Sequence, residues 1–255
     1  MKKNITIIKS KFLTMLLIVW GHSYTFAMAE NVRVAVAANF TEAAKEIGQA
    51  FEKQTGHSAQ FSFGSTGQLF TQISQGAPFE IFLAADQSMP KKAVEDGYAV
   101  KDSQFTYAIG KIALYSEDPD FVKGEETLKQ SRFTKIAIAN PTTAPYGAAA
   151  VEVMKQLGLY NILQDKIVQG NNIAQTYQFV HSLNAEIGFV ALSQISSNYN
   201  GSRWIVPAEL YSEISQDAVL LKEGENYEAA LTFINFLKNP LARNIIEKYG
   251  YGTKQ

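Results

Sequence analysis

Strand-like and helix-like stretches alternate along almost the whole chain, and that alternation restricts the folds open to it more than any other feature. The segment "VRVAVAA" (Val32–Ala38) alternates small apolar residues and reads as a buried strand. In the "FTEAAKEIGQAFEKQTG" that follows, Ala43, Ala44, Ile47, Ala50 and Phe51 fall on one helical face, and Gly56 supplies a stop. The pattern repeats: "HSAQFSF" then "GQLFTQISQGAP", "EIFLAAD" then "SMPKKAVEDG", "KIAIANP" then "YGAAAVEVMKQLG", "KIVQGNN" then "IAQTYQFVHSLN". Later, "AEIGFVAL", "RWIVP" and "DAVLLKEG" are β-like. "NYEAALTFINFLKNP" closes as a helix with Tyr227, Ala230, Leu231, Ile234 and Leu237 as its apolar stripe. Strands separated by helices predict an α/β fold with a mostly parallel sheet buried on both faces.

The run "QFTYAIGKIALYS" (Gln104–Ser116) is longer than a usual strand and holds Gly110 at its middle. It reads as a crossing between two lobes, and the β-like run at Asp217–Leu221 reads as the return. This predicts residues 30–109 and 218–255 as one lobe and 110–217 as a second lobe inserted into it.

The first 29 residues belong to a different category. Four lysines and no acid precede "FLTMLLIVW", an apolar run too short to span a bilayer, and "AMA" (Ala27–Ala29) is a small-x-small cleavage pattern. Residues 1–29 therefore read as a secretory signal peptide cleaved after Ala29, giving an exported protein. Removing those four lysines from 23 basic residues leaves 19 against 24 acidic ones, a net charge of −5. Such a balance disfavours nucleic acid and anionic membranes as partners. The chain has no Cys, which removes disulfides, thiol catalysis and Cys-based metal sites. His57 and His181 are not spaced as a metal pair and read as ordinary surface or core residues.

Four turns at strand–helix junctions share one chemistry. "AANFTE", "GSTGQ" and "NNIAQ" each place Asn or Ser three residues before Glu or Gln, the pattern of a helix N-cap, while "NPTTAPYGAAA" sets Thr142, Thr143 and Pro145 at a helix entry. Each turn alone is an ordinary cap. None, however, carries a charged residue across Ala37–Phe40, Gly64–Gly67, Asn140–Gly147 or Gly170–Ala174. Helix starts present unpaired N–H groups and a partial positive charge, and in open α/β sheets they lie where ligands bind. If they converge, they form a donor-rich anion site without a formal charge. With no carboxylate to accept a proton from a protonated phosphate, the expected guest is a fully ionised tetrahedral oxyanion: molybdate, tungstate or sulfate. Asp86 could cap the helix that begins at Ser88 or serve a site, with capping the simpler reading. Tyr146 could line a pocket or pack in the lobe.

These blocks, with "FSFGSTGQLFTQISQGAPFEIFLAAD", "IAIANPTTAPYGAAAVEVMKQLG" and "EIGFVALSQI", resemble the periplasmic molybdate-binding proteins of ABC importers, from about Val32 to the C-terminal "YGY". The resemblance implies a type II periplasmic-binding-protein fold: two α/β lobes with a hinge and the oxyanion in the cleft. It places ligand contacts at Ala38 and Asn39, at Ser65 and Thr66, and at the backbone N–H groups of Tyr146 and Ile173. Many members have Ser where this chain has Asn39. Some add a Tyr hydroxyl where this chain has Ala191, so that contact is absent. Further implications are a monomer in the periplasm that binds no metal cation directly, needs no cofactor, catalyses nothing, and delivers molybdate or tungstate to a membrane permease with its cytoplasmic ATPase. The rivals are the same fold binding sulfate, an exported serine hydrolase using Ser65, and a sensor or docking module. A ferric-iron binder would need clustered Tyr, His or carboxylate ligands that these turns lack.

Overall fold

A computed structural model describes residues 29–196 and 200–253. The signal-peptide reading falls on residues that lie, but for Ala29, outside those described.

Ten strands form two five-stranded sheets. The first contains β1 (Asn31–Ala37), β2 (Ser58–Gly64), β3 (Ile81–Leu83), β4 (Phe105–Gly110) and β10 (Ile214–Leu220), in the order β2-β1-β3-β10-β4. The second contains β5 (Ile112–Ser116), β6 (Ile136–Ala139), β7 (Ile167–Gly170), β8 (Ile187–Ala191) and β9 (Ser202–Ile205), in the order β7-β6-β8-β5-β9. Around them lie α1 (Thr41–Thr55), α2 (Thr66–Ser74), α3 (Ser88–Glu95), α4 (Glu126–Gln130), α5 (Pro145–Gln156), α6 (Tyr160–Leu163), α7 (Ile173–His181), α8 (Glu228–Phe236) and α9 (Pro240–Lys248). The result is two α/β lobes.

The expected mostly parallel sheet is corrected to two mixed ones. β1 pairs in parallel with β2 and β3, but β10 is antiparallel to both β3 and β4. β6 is parallel to β7 and β8, but β5 is antiparallel to β8 and β9. Strands followed by local helical crossovers must return parallel. β5 and β10 instead enter their sheets from the other lobe, so nothing obliges them to match that direction. Gly110 ends β4, and Ile112 starts β5 in the other sheet. The long β-run thus crosses between lobes where its glycine stands.

Side-chain alternation sends each strand into two cores. Val32, Val34 and Val36 pack with Phe40, Ile47, Phe51, Phe233 and Ile246, whereas Ala35 faces Leu69, Phe82 and Val219. In the second lobe Ile112 and Leu114 pack with Ile138 and Val153, and Ala113 and Tyr115 pack with Val180 and Val190. Gly56 caps α1 in the left-handed region (φ 79°) and its N–H reaches the Glu52 carbonyl at 2.9 Å, as the sequence leads one to expect. Most of the stripe read for the closing helix holds: Ala230, Ile234 and Leu237 are buried and Tyr227 packs against the core. Ala229, Ala230, Phe233, Ile234 and Phe236 are buried, and Leu231 is exposed. Glu228 and Asn235, both exposed, mark its outer face, and Leu231 lies beside them.

One contact sets where α5 begins. A Cβ on Gly147 would lie 2.2 Å from the Ala139 carbonyl oxygen at the end of β6. The first turn of α5 therefore rests against the strand end with no room for a methyl group. Gly147→Ala should destabilise the fold by about 1–3 kcal/mol through this overpacking, against the helix propensity of Ala. Urea denaturation checks it; an unchanged midpoint would mean that the helix can lift off the strand freely.

Candidate oxyanion site

β1, β2, β6 and β7 all end on the side of the seam between the lobes, and the turns that follow them meet there. After β1 the chain makes a 3-10 turn over Ala38–Phe40. After β2, Ser65 leads into α2. After β6, the stretch from Asn140 to Ala144 leads into α5, and after β7, Asn172 leads into α7. The turns enclose one small cavity lined by Ala37, Ala38, Asn39, Ser65, Thr66, Tyr146 and Ile173, with Gly64, Ala85, Ala144 and Pro145 filling its wall. All six residues expected from the sequence are therefore brought together, from two turns in each lobe. None of the lining residues is charged. The cavity leaves about 10 Å³ for the centre of a water-sized sphere, roughly the room of one water by the same measure.

The capping patterns resolve differently from one turn to the next. Asn172 caps α7 as read, its Oδ1 accepting from the Gln175 N–H at 3.0 Å, while the Gln175 side chain accepts from the Asn171 N–H. Asn39 is not a cap. It lies inside the 3-10 turn, and Phe40 precedes α1. Its Nδ2 donates to Gln216 Oε1 at 2.8 Å and to the Tyr251 hydroxyl at 3.0 Å. Both hydrogens of that Nδ2 are thus taken up within the protein. Ser65 precedes α2 but makes no side-chain cap bond. Its hydroxyl is buried without a hydrogen-bond partner, as is that of Thr143 on the opposite side of the seam. The Thr66 hydroxyl accepts from the Ala85 N–H at 3.0 Å, so its own proton remains to be donated. Asp86 caps the first turn of α3, accepting from the Met89 N–H at 2.8 Å.

A buried hydroxyl left unpaired costs about 1–3 kcal/mol, and native structures contain few. Ser65 stands beside the starts of α2, α5 and α7, whose first N–H groups have no partner within the helix and whose dipoles present positive ends. No charged residue lines the cavity, so no carboxylate is there to accept. Burial pushes the phenols of Tyr107, Tyr146 and Tyr251 above the ordinary tyrosine range, so they stay neutral. A larger cleft of about 530 Å³ opens alongside, but Asp86, Glu152 and Glu213 line it. Those carboxylates make it a poor seat for an anion.

The lobes touch directly around the cavity. The Gly67 N–H donates to the Thr143 carbonyl at 2.9 Å, and the Ser193 hydroxyl to the Asn39 carbonyl at 2.9 Å. Within the second lobe, Gln194 Nε2 donates to the Ile173 carbonyl at 3.0 Å. Gln216, Tyr251, Ser193 and Gln194 were not read from the sequence. For Gln216 a signal existed, since "ISQDAVL" sets a Gln and an Asp inside a strand buried along its whole length. Ala191, at the place of the absent Tyr, is a buried strand end. His57 accepts from the Glu30 N–H and His181 pairs with Glu117, and neither bonds to the Ser65 hydroxyl. Among the described residues no group of three or more His, Asp or Glu could hold a metal ion.

Two lobes joined by paired chain crossings, with a donor-lined cavity in the seam, define a solute-binding protein of the two-lobed type. The chain belongs to the bacterial extracellular solute-binding proteins, whose family model matches residues 32–252. It is 54% identical over 228 residues to the molybdate-binding protein ModA of Rhodobacter capsulatus, covering 89% of this chain and 90% of that one. It is 50% identical over 232 residues to the protein of the same name from Azotobacter vinelandii, covering 89% and 92%. Among solved structures, the Azotobacter vinelandii periplasmic molybdate-binding protein superposes with a TM-score of 0.85 at 39% identity, covering 88% of this chain and all of that one. The sulfate-binding protein SubI of Mycobacterium tuberculosis, at 10% identity and a TM-score of 0.71, shares the fold alone.

Because the Ser65 hydroxyl has no partner in the protein, its removal has an unusual sign. Ser65→Ala should leave the ligand-free protein as stable as before or up to about 1 kcal/mol more stable. Thermal unfolding without added anion measures this. A clear drop in midpoint would show that the hydroxyl is already bonded within the protein.

Proposed function

We propose that this protein captures molybdate or tungstate between its lobes and hands it to a membrane permease driven by a cytoplasmic ATPase. The observation that carries the reading is the unpartnered Ser65 hydroxyl, buried in a cavity that three helix starts surround and no charge enters. The relatives named for molybdate, at 50–54% identity over most of both chains, support the choice of anion. In this reading Ser65 and Thr66 donate through hydroxyl and backbone. Ala38, Asn39, Tyr146 and Ile173 donate through backbone N–H groups. Neutral dipoles suffice because each donor is preorganised and water is excluded, which strengthens every contact.

The same reading assigns the lobes. Sheet membership supports 30–109 with the C-terminal segment as one lobe and the residues from 110 as the other. In this reading the chain returns to the first lobe before Ile214, ahead of the 217/218 boundary read from the sequence, and the pairing of all of β10 in the first sheet supports it. Opening the lobes would part Gly67 from Thr143 and Ser193 from Asn39, separating the halves of the donor shell, a hinge motion of the kind binding proteins use. The protein acts as an exported monomer, with its leader cleaved after Ala29, in the periplasm. No helix among the described residues is long and apolar enough to cross a membrane. A nucleophilic role for Ser65 has no support in the geometry, since no base contacts its hydroxyl.

Calorimetric titration of the processed protein with molybdate, tungstate, sulfate and phosphate tests the proposal. Tight binding and a raised melting midpoint are expected for molybdate and tungstate, with little response to phosphate. Equal weak responses to all four would remove the assignment. Thr66→Asp, which sets a carboxylate against the anion, should abolish molybdate binding while the protein still unfolds cooperatively. Retained affinity would take Thr66 out of the site.

A further inference from the structure

The residues behind the cavity converge on one side chain that touches no ligand position. Gln216 is fully buried in β10, and its amide faces both halves of the candidate site. Its Oε1 accepts from Asn39 Nδ2 at 2.8 Å and from the Tyr107 hydroxyl at 3.2 Å, while its Nε2 donates to the Tyr146 hydroxyl at 3.2 Å. Asn39 belongs to the first lobe and Tyr146 to the second, and both line the cavity. The strand is bent to allow this: its pairing with β4 shifts register between Gln216 and Asp217. A bulge of that kind re-aims side chains beside functional sites. The crossing strand yields too. A Cβ on Gly110 would come within 2.2 Å of the Tyr146 hydroxyl oxygen and 2.7 Å of Gln216 Nε2. Gly110 at the lobe crossing is therefore what lets the tyrosine and the glutamine meet.

We propose that Gln216 is a positioning residue for the oxyanion site. Through one amide it orients Asn39 in one lobe and Tyr146 in the other, and so sets where their backbone donors point when the lobes are together. The amide is suited to the task, because it accepts from one lobe and donates to the other while remaining uncharged beside an anion. A carboxylate could not donate, and an ammonium could not accept. Asn39 is held on its other side by Tyr251, whose hydroxyl donates to the Asn39 carbonyl at 2.7 Å. The Asn39 peptide is thereby fixed from both flanks, with Gln216 supplying the link to the second lobe.

The inference rests on the oxyanion reading, and the experiment separates the two. Molybdate is titrated calorimetrically into the wild type, Gln216→Met, Asn39→Ala and the double variant. Gln216→Met keeps the length of the side chain and removes both hydrogen-bonding ends. It should weaken molybdate binding about tenfold or more, as expected when buried polar groups lose their partner. If Gln216 acts through Asn39, the double variant should lose clearly less than the product of the two single losses, a coupling that a merely structural residue would not show. Wild-type affinity in Gln216→Met, or losses that multiply in full, would overturn the inference while leaving the oxyanion reading intact. Absence of molybdate binding in the wild type would overturn both. Should Gln216→Met fail to unfold cooperatively, Tyr146→Phe takes its place in the cycle. That change removes only the hydroxyl facing Gln216 and keeps the Tyr146 N–H, and the same outcomes decide.

Discussion

Polar groups taken out of water must find partners, and in this protein those described at the seam mostly find them there, within a lobe or across to the other. The exception is the Ser65 hydroxyl at the cavity, with that of Thr143 nearby. The architecture around the seam follows from that requirement. Strands end there, helices begin there with N–H groups that lack partners inside the helix, and hydrogen bonds between neutral groups join the lobes: Gly67 to Thr143, Ser193 to Asn39, Gln216 to Tyr146. A lysine or arginine would satisfy an anion more simply. It would also leave a buried cation unpaired whenever the anion departs, at a cost far above that of an unpaired hydroxyl. A carrier that must both hold and release its cargo is better served by dipoles.

That requirement also accounts for the glycines at the seam. Gly147 lets α5 start directly on the end of β6, and Gly110 leaves space where the Tyr146 hydroxyl meets Gln216. In each case the absent side chain permits a close backbone or hydroxyl approach, and the approach determines where Tyr146 stands. Aliphatic cores on both faces of each sheet keep these contacts in register, with Val36 and Phe40 on one side of β1 and Ala35 on the other. The mixed direction of the sheets belongs to the same account, since β5 and β10 carry the chain across the seam.

Much of this was legible along the chain. The alternation of strands and helices, the crossing at Gly110, the stop at Gly56, the cap at Asn172 and the charge-free turns depend on local pattern and local chemistry. The resemblance named the six cavity residues. The role of Asn39 was not legible, because a cap and a side chain bonded to Gln216, 177 positions away, look alike in a short window. The exposure of Leu231 was not legible either, since an apolar residue beside a helix's polar face carries no signal of which side it takes.

The sequence by itself determined the α/β class, the neutrality of the turns and the kind of guest such turns can receive, because these follow from residue type, periodicity and helix-end physics. Only the tertiary structure decided which hydroxyl remains without a partner, that Asn39 turns its amide into the protein, and that Gln216 joins the two lobes. Hydrogen-bond satisfaction is a property of groups brought together from distant parts of the chain, so no local window contains it.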